Sequence, residues 1–182
     1  MAATGILFED AVAIVTGAGR GIGLALCQEL AQRKANVVLA DRDGDLAQQA
    51  AAAISNFGGR ATAVELNVSD PEAFAGVVRQ VLNKEGRLDY LFNNAGVCVF
   101  GDIRAHTNED WQRVFDVNLG GVVNGIQAAY PIMLEQGFGH LVNTSSMAGL
   151  VEVPWMTSYS ASKFAVVGLS NSLRVEAAEA GV

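Results

Sequence analysis

Short runs of consecutive apolar residues recur along this chain, each followed by a longer stretch in which apolar side chains return every three or four positions. The runs at 12–16, 36–40, 61–66, 88–93 and 140–144 predict strands. The stretches at 22–33, 45–57, 70–85, about 108–136 and about 158–180 predict helices. A Gly-rich turn closes the first run, and Gly58-Gly59 separates the second helix from the third strand. Asp70-Pro71 is a helix start, because a capping carboxylate precedes a proline whose missing N–H is not needed at the first helical position.

Strands that alternate with helices and are apolar on both faces belong in a parallel sheet covered on each side. With right-handed crossovers, the expected α/β fold is a Rossmann-type doubly wound parallel sheet with helices on both faces. No repeat, low-complexity tract, linker or compositional break divides the sequence, so residues 1–182 are expected to form a single dinucleotide-binding domain.

Composition supports a folded chain and narrows its partners. Of 182 residues, 51% are hydrophobic and 17% charged, with 20 glycines and 3 prolines, which suits a tightly turned globular domain. A net charge of -7 opposes binding to nucleic acid or an anionic membrane, since both depend on clustered Lys and Arg. Cys27 and Cys98 lack CxxC or metal-ligand spacing, so reduced thiols and no metal site are expected, and His106 and His140 lack the partners of a metal or triad site. Residues 1–10 have no basic stretch leading into an apolar core, and no later segment is long and charge-free enough to span a bilayer; a cytoplasmic location is the expectation.

The candidate chemistry begins at Thr16-Gly17-Ala18-Gly19-Arg20-Gly21-Ile22-Gly23, between the first strand and first helix. Glycines there let a pyrophosphate approach backbone N–H groups at a helix N-terminus. The spacing is GxxxGxG and departs from GxGxxG, so a tight turn alone is the competing explanation. Asp41 falls at the end of the second strand, 18 residues after Gly23, where a carboxylate reaches adenosine ribose hydroxyls. That favours NAD; Arg42 and Arg20 lie close enough to compensate a 2′-phosphate, which keeps NADP open. Asp41 also opens the Asp41-Arg42-Asp43-Gly44 turn, and one carboxylate could do both jobs.

Further along, Asn93-Asn94-Ala95-Gly96 closes the fourth strand, Asn118 lies in the long helix, Ser146 follows the fifth strand and Tyr159-Ser160-Ala161-Ser162-Lys163 opens the last helix. In order and spacing these motifs resemble the short-chain dehydrogenase/reductase family from about Ala11 onward. The resemblance implies that Gly17, Gly21 and Gly23 bind the cofactor pyrophosphate with Ile22 against the nicotinamide, that Asn94, Ala95 and Gly96 line the cofactor, and that Asn67 and Val68 flank the adenine, although the family often has aspartate where Asn67 stands. It implies Asn118, Ser146, Tyr159 and Lys163 as catalytic residues, with Lys163 on the nicotinamide ribose, Asn118 ordering a relay water, and Ser145 in an ordinary structural role.

Tyr159 and Lys163 are four apart on one helix, so their side chains share a face. A free phenol titrates near ~10, and each unit removed requires about 1.4 kcal/mol of preference for the phenolate, which a lysine ammonium and an oxidised nicotinamide can supply. Tyr159 would then exchange the proton of an alcohol or carbonyl substrate while Ser146 hydrogen-bonds its oxygen and hydride passes directly to or from nicotinamide C4. Leu150, Val151, Val153, Trp155 and Met156, with Val97, Cys98, Val99 and Phe100, suggest an uncharged, fairly hydrophobic alcohol or ketone.

The resemblance further implies a sixth strand, a substrate-covering loop and a seventh strand beyond Val182, so the fold is expected to lack its last strands and the fifth strand to expose an edge. A fragment of a longer enzyme is favoured over a noncatalytic nucleotide-binding or interaction module. The helices near 108–136 and 158–180 are those through which family members commonly pair, which implies a homodimer or homotetramer.

Overall fold

In the computed structural model, which describes residues 8–178 and 182, five parallel strands form one sheet. The elements are β1 (Val12–Thr16), α1 (Gly21–Gln32), β2 (Asn36–Asp41), α2 (Gly44–Asn56), β3 (Arg60–Glu65), α3 (Pro71–Glu85), β4 (Tyr90–Asn93), α4 (Asn108–Phe115), α5 (Gly121–Gln136), β5 (His140–Asn143) and α6 (Thr157–Ala177). Strand order is β3-β2-β1-β4-β5, every pair parallel. The chain winds outward from β1 to β3, then returns past β1 to β4. Connections therefore leave β1 and β4 in opposite directions and open a crevice above their carboxyl ends.

The period-2 alternation of strand side chains divides the interior. Ala13 and Val15 of β1, with Val37 and Leu39 of β2, pack beneath Cys27 and Leu30 of α1 and Ala47 and Ile54 of α2. Val12, Ile14 and Val38 point the other way, onto Phe74 and Val78 of α3 and Ala129 and Met133 of α5. Two-sided burial holds for β1 and β2 and fails at the edges, where β3 and β5 alternate with solvent. Among the described residues β5 pairs with β4 alone, and Val142 is 39% exposed.

Local signals set most boundaries. Asp70 accepts from Glu72 N and Ala73 N at 3.0 Å each, Pro71 stands at the first turn of α3, and Gly86 closes it at φ 75°. β4 starts two residues later than its apolar run, because Leu88 bonds through both backbone groups to the Gln136 amide (2.9 Å each) and lies outside the ladder. The stretch expected as one helix over 108–136 is interrupted: α4 ends at Phe115, a π-helical turn occupies Asp116–Gly120, and α5 follows. A one-residue widening leaves the apolar spacing of a helix nearly intact, so periodicity does not reveal it. Residues 179–180 of the last expected helix, residues 1–7 and Gly181 lie outside the described residues.

No helix among the described residues is long and apolar enough to cross a membrane. Among them, no group of three or more His, Cys, Asp or Glu is placed to hold a metal ion.

Candidate active site

The glycines of the first turn do different physical work. Gly17 and Gly21 have φ of 64° and 59°, a region costly for side-chain-bearing residues. A Cβ on Gly23 would stand 2.2 Å from Gly17 O, and one on Gly17 2.9 Å from Ala95 Cα, so these two allow backbone to meet backbone. A Cβ on Gly21 would meet nothing within 4 Å, so it faces open space. Arg20 precedes α1 in extended conformation, gives no side-chain cap, and no acidic residue occupies the first turn. The first N–H groups of α1 are thus left for an anion, with the positive end of the helix dipole behind them.

That turn forms one wall of a cleft of about 300 Å³. Gly17, Arg20, Ile22, Gly23, Asp41, Arg42, Asn67, Val68, Asn94, Ala95 and Gly96 line it; Gly21 lies in the turn and not on the wall. Ile22 is 73% exposed, an apolar side chain offered to whatever fills the cleft. Asp41 stands on the wall at the end of β2. Its Oδ2 accepts from Gly19 N (2.8 Å) and its Oδ1 from Asp43 N (3.0 Å), so the carboxylate both ties down the glycine turn and opens the next one. Each oxygen keeps a second lone pair.

Thr16, buried at the end of β1, joins the two strands that flank the crevice. Its hydroxyl donates to Phe92 O (3.3 Å) and accepts from Asn94 N and Ala95 N (3.0 Å each). Asn94 Nδ2 returns a bond to Thr16 O at 3.0 Å. Sequence reasoning gave Thr16 no role; it overlooked Leu66 and Val117 as walls of this cleft and gave Val97 to the substrate side alone. A hydroxyl at the end of an apolar strand was the available signal for Thr16; position beside Asn67 and Gly96 was the signal for Leu66 and Val97.

Of the residues expected to act on substrate, the structure brings together Asn118 of the π-helical turn and Tyr159 and Lys163 of α6. Asn118, fully buried in the π-helical turn, accepts from Val97 N at 2.8 Å and donates to Val97 O at 2.9 Å and Ser162 Oγ at 3.0 Å. Ser162 Oγ in turn donates to Tyr159 O at 2.6 Å. Lys163 is 3% exposed, and its Nζ donates to Thr144 O at 2.7 Å. That Nζ lies 5.6 Å from the centroid of the Tyr159 ring. A Cβ on Gly96 would sit 3.4 Å from Asn118 Oδ1 and 3.7 Å from Lys163 Nζ. Gly96 lines the cleft and its Cα side faces Asn118 and Lys163, so the cleft and the Tyr159–Lys163 face adjoin there.

Burial pushes the Lys163 ammonium below the usual lysine range, and no carboxylate among the described residues pairs with it. Ser146 Oγ accepts from Ala148 N at 3.1 Å, opening a short 3-10 turn, while Ser145 Oγ donates to Lys163 O at 3.0 Å and braces α6. Burial raises the Cys27 thiol to about 12 and also raises the Cys98 thiol, which works against thiolate formation at either. His106 packs against Trp111, ring centroids 6.4 Å apart.

Known proteins share this arrangement. Residues 11–182 match the short chain dehydrogenase family. A cyclopentanol dehydrogenase of Comamonas sp. is 39% identical over 158 residues, 87% of this chain and 63% of the relative. The structure of an NAD+-bound xylitol dehydrogenase superposes with a TM-score of 0.92 at 33% identity, covering 96% of this chain and 67% of the other. A metagenomic short-chain oxidoreductase in complex with NADP superposes at 0.91 with 35% identity, covering 95% and 79%. The chain spans between 61% and 70% of the length of the curated relatives it matches. With the glycine turn, the Asn94–Gly96 wall and the Tyr159–Lys163 face in one parallel α/β crevice and the match running through all of them, this chain belongs to the short-chain dehydrogenase family.

Proposed function

We propose that this chain forms, as one domain, the cofactor- and proton-handling part of an oxidoreductase that transfers hydride between NAD(P) and the carbon of an alcohol or carbonyl substrate, with Tyr159 as acid and base. The observation that carries it is Lys163. Burying an ammonium without a carboxylate partner is costly and serves no packing need that an apolar residue would not meet better. The charge makes sense where it faces a bound polar group and the ring of Tyr159.

The cradle fits a dinucleotide: a helix start without a cap, a wall of glycine backbone at Gly17 and Gly23, and a carboxylate tied to the same turn through Gly19 N. When bound, the nicotinamide supplies the donor or acceptor of hydride. Gly17, Gly21 and Gly23 with the α1 N-terminus hold the diphosphate, Asp41 receives the adenosine ribose hydroxyls, and Asn67 and Val68 flank the base. The Asp41 charge favours NAD, with Arg20 and Arg42 on the same wall to offset a 2′-phosphate. Lys163 holds the second ribose, Ser146 orients the substrate oxygen and Tyr159 exchanges its proton. Asn118 contributes by fixing Val97 and Ser162; the one acceptor lone pair left on its Oδ1 can hold a relay water.

The same reading covers substrate, assembly and location. Leu150, Val151 and Trp155 on the loop leading to Tyr159, and Phe100 on the loop bonded to it through Gly101 N and Trp155 O (2.8 Å), are exposed apolar residues, which suits an uncharged, hydrophobic alcohol or ketone. Leu134 of α5 and Phe164 and Val175 of α6 are also exposed, which suits pairing of these helices in a homodimer or homotetramer in the cytoplasm. Sedimentation of the purified protein tests the assembly.

The decisive experiment compares NADH and NADPH binding by fluorescence, then turnover of secondary alcohols by wild type and Tyr159→Phe in the longest native form of the protein. The expected result is tighter NADH binding, unchanged in the variant, and a loss of turnover of about a thousandfold. Binding without any wild-type turnover favours a noncatalytic nucleotide-binding module instead.

A further inference from the structure

Apolar contact lets a helix slide and roll on a sheet, whereas a directional hydrogen bond fixes its place. Three consecutive residues at the end of β5 grip α6 through polar groups. Asn143 Nδ2 donates to Ser170 Oγ at 3.0 Å, Thr144 O accepts from Lys163 Nζ at 2.7 Å, and Ser145 Oγ donates to Lys163 O at 3.0 Å. Ser170 stands about two turns after Lys163 on α6, so both present the same face to the sheet end. Two anchors at that spacing set the axial register and the roll of the helix together.

The grip continues inward. Asn143 Oδ1 accepts from Asn93 Nδ2 at 2.9 Å, across a pair in register between β4 and β5. Asn93 is 3% exposed, and its own Oδ1 is buried without a hydrogen-bond partner among the described residues. A Cβ on Gly125 of α5 would collide with that oxygen, so the helix leaves room for the amide. An orphaned buried acceptor costs stability, which an apolar residue at this position would avoid. The donor end of Asn93 gives the return: by binding Asn143 Oδ1 it fixes which way the second amide points, with Nδ2 toward Ser170.

We propose that Asn143 and Ser170 are positioning residues, a polar latch that sets α6 on β5 and so holds the Lys163 ammonium where it serves Tyr159 and the nicotinamide ribose. This rests on the oxidoreductase reading above. Lys163 Nζ is tied to the sheet end at Thr144 O and lies beside Gly96 of the cleft. A slip of α6 by about 1 Å, the scale on which reacting geometry fails, moves that charge relative to both. Opening the latch therefore acts on proton transfer more than on substrate binding.

Two measurements test it. The sequence holds three lysines, Lys34, Lys84 and Lys163, so a carbon label on lysine Cε gives each its own resonance. In Ser170→Ala the Lys163 signal should shift and titrate closer to the ordinary lysine range, with Lys34 and Lys84 unchanged; an unmoved Lys163 signal overturns the proposal. In the longest native form, Ser170→Ala should lower kcat for cyclopentanol about tenfold with KM changed less than about twofold. The acidic limb of its pH profile should move upward, because the ammonium stands less close to the phenolate. Ser170→Thr, which keeps the hydroxyl, should restore both. The double variant of Asn143→Ala with Ser170→Ala should be no slower than Asn143→Ala alone, since the two act as one latch. A lower melting temperature with kcat and pH profile unmoved leaves the pair a structural role only and overturns the proposal. A shifted Lys163 signal in a protein with no wild-type turnover sinks the oxidoreductase reading and upholds the latch on Lys163.

Discussion

Asn118 grips both backbone groups of Val97, 21 residues away in sequence, with hydrogen bonds of 2.8 and 2.9 Å. A third bond reaches Ser162, one position before Lys163. A single buried amide thus sets the spacing between the loop after β4, the widened turn of the long helix and the start of α6.

Asn118→Ala should leave the Val97 N–H, the Val97 carbonyl and the Ser162 hydroxyl short of partners in a buried place. A loss of about 2 to 3 kcal/mol in urea unfolding is expected. NADH affinity should fall with it, because Gly96 and Lys163 lose their mutual placement. Full retention of both would show that the amide bonds are incidental.

Thr16→Val keeps the shape of the side chain and deletes three hydrogen bonds at the strand junction. Its cost should be about 2 kcal/mol, with Thr16→Ser restoring most of it. Denaturation midpoints of the two variants decide this.

The glycine turn separates packing from binding. Gly23→Ala forces a methyl into Gly17 O and should prevent a native fold, read as loss of cooperative thermal unfolding. Gly21→Ala meets no atom but must adopt φ 59°, so it should fold with a penalty of about 1 to 2 kcal/mol. Its NADH affinity should drop by about tenfold, since a strained turn misplaces the α1 N–H groups proposed to hold the diphosphate.

Lys163 gives a pH dependence of known sign. Burial lowers its value in the folded protein below 10.5, so between the folded value and 10.5 the unfolded chain binds more protons and stability rises with pH. Below that window the buried charge is a constant penalty. The bond to Thr144 O favours the charged form, yet the direction of the shift shows that desolvation outweighs it. Lys163→Met should therefore raise the neutral-pH melting temperature by about 2 to 4 °C, flatten the rise toward pH 10.5, and abolish NADH binding. A variant that melts lower at neutral pH contradicts this.

The doubly wound class, the glycine turn and the shared face of Tyr159 and Lys163 were legible in the sequence because each depends on local rules: apolar periodicity, the positive φ that favours glycine, and four-residue spacing on a helix; the roles proposed for the pair came from the family resemblance. The break at Asp116–Gly120 was not, since one extra residue in a turn hardly disturbs apolar spacing. Exposure of β3 followed from strand order, which no strand records in its own composition, whereas the family resemblance already implied an exposed β5 edge. Thr16, Asn118 and Trp155 needed the fold most. Their partners lie between 21 and 79 residues away or, for Trp155, across two loops, and a hydrogen bond between distant segments leaves no periodic trace at either end. Sequence motifs and the family resemblance singled out the residues proposed to carry the chemistry; only tertiary packing decided how they are held together, because buried polar groups must find partners wherever the chain brings them.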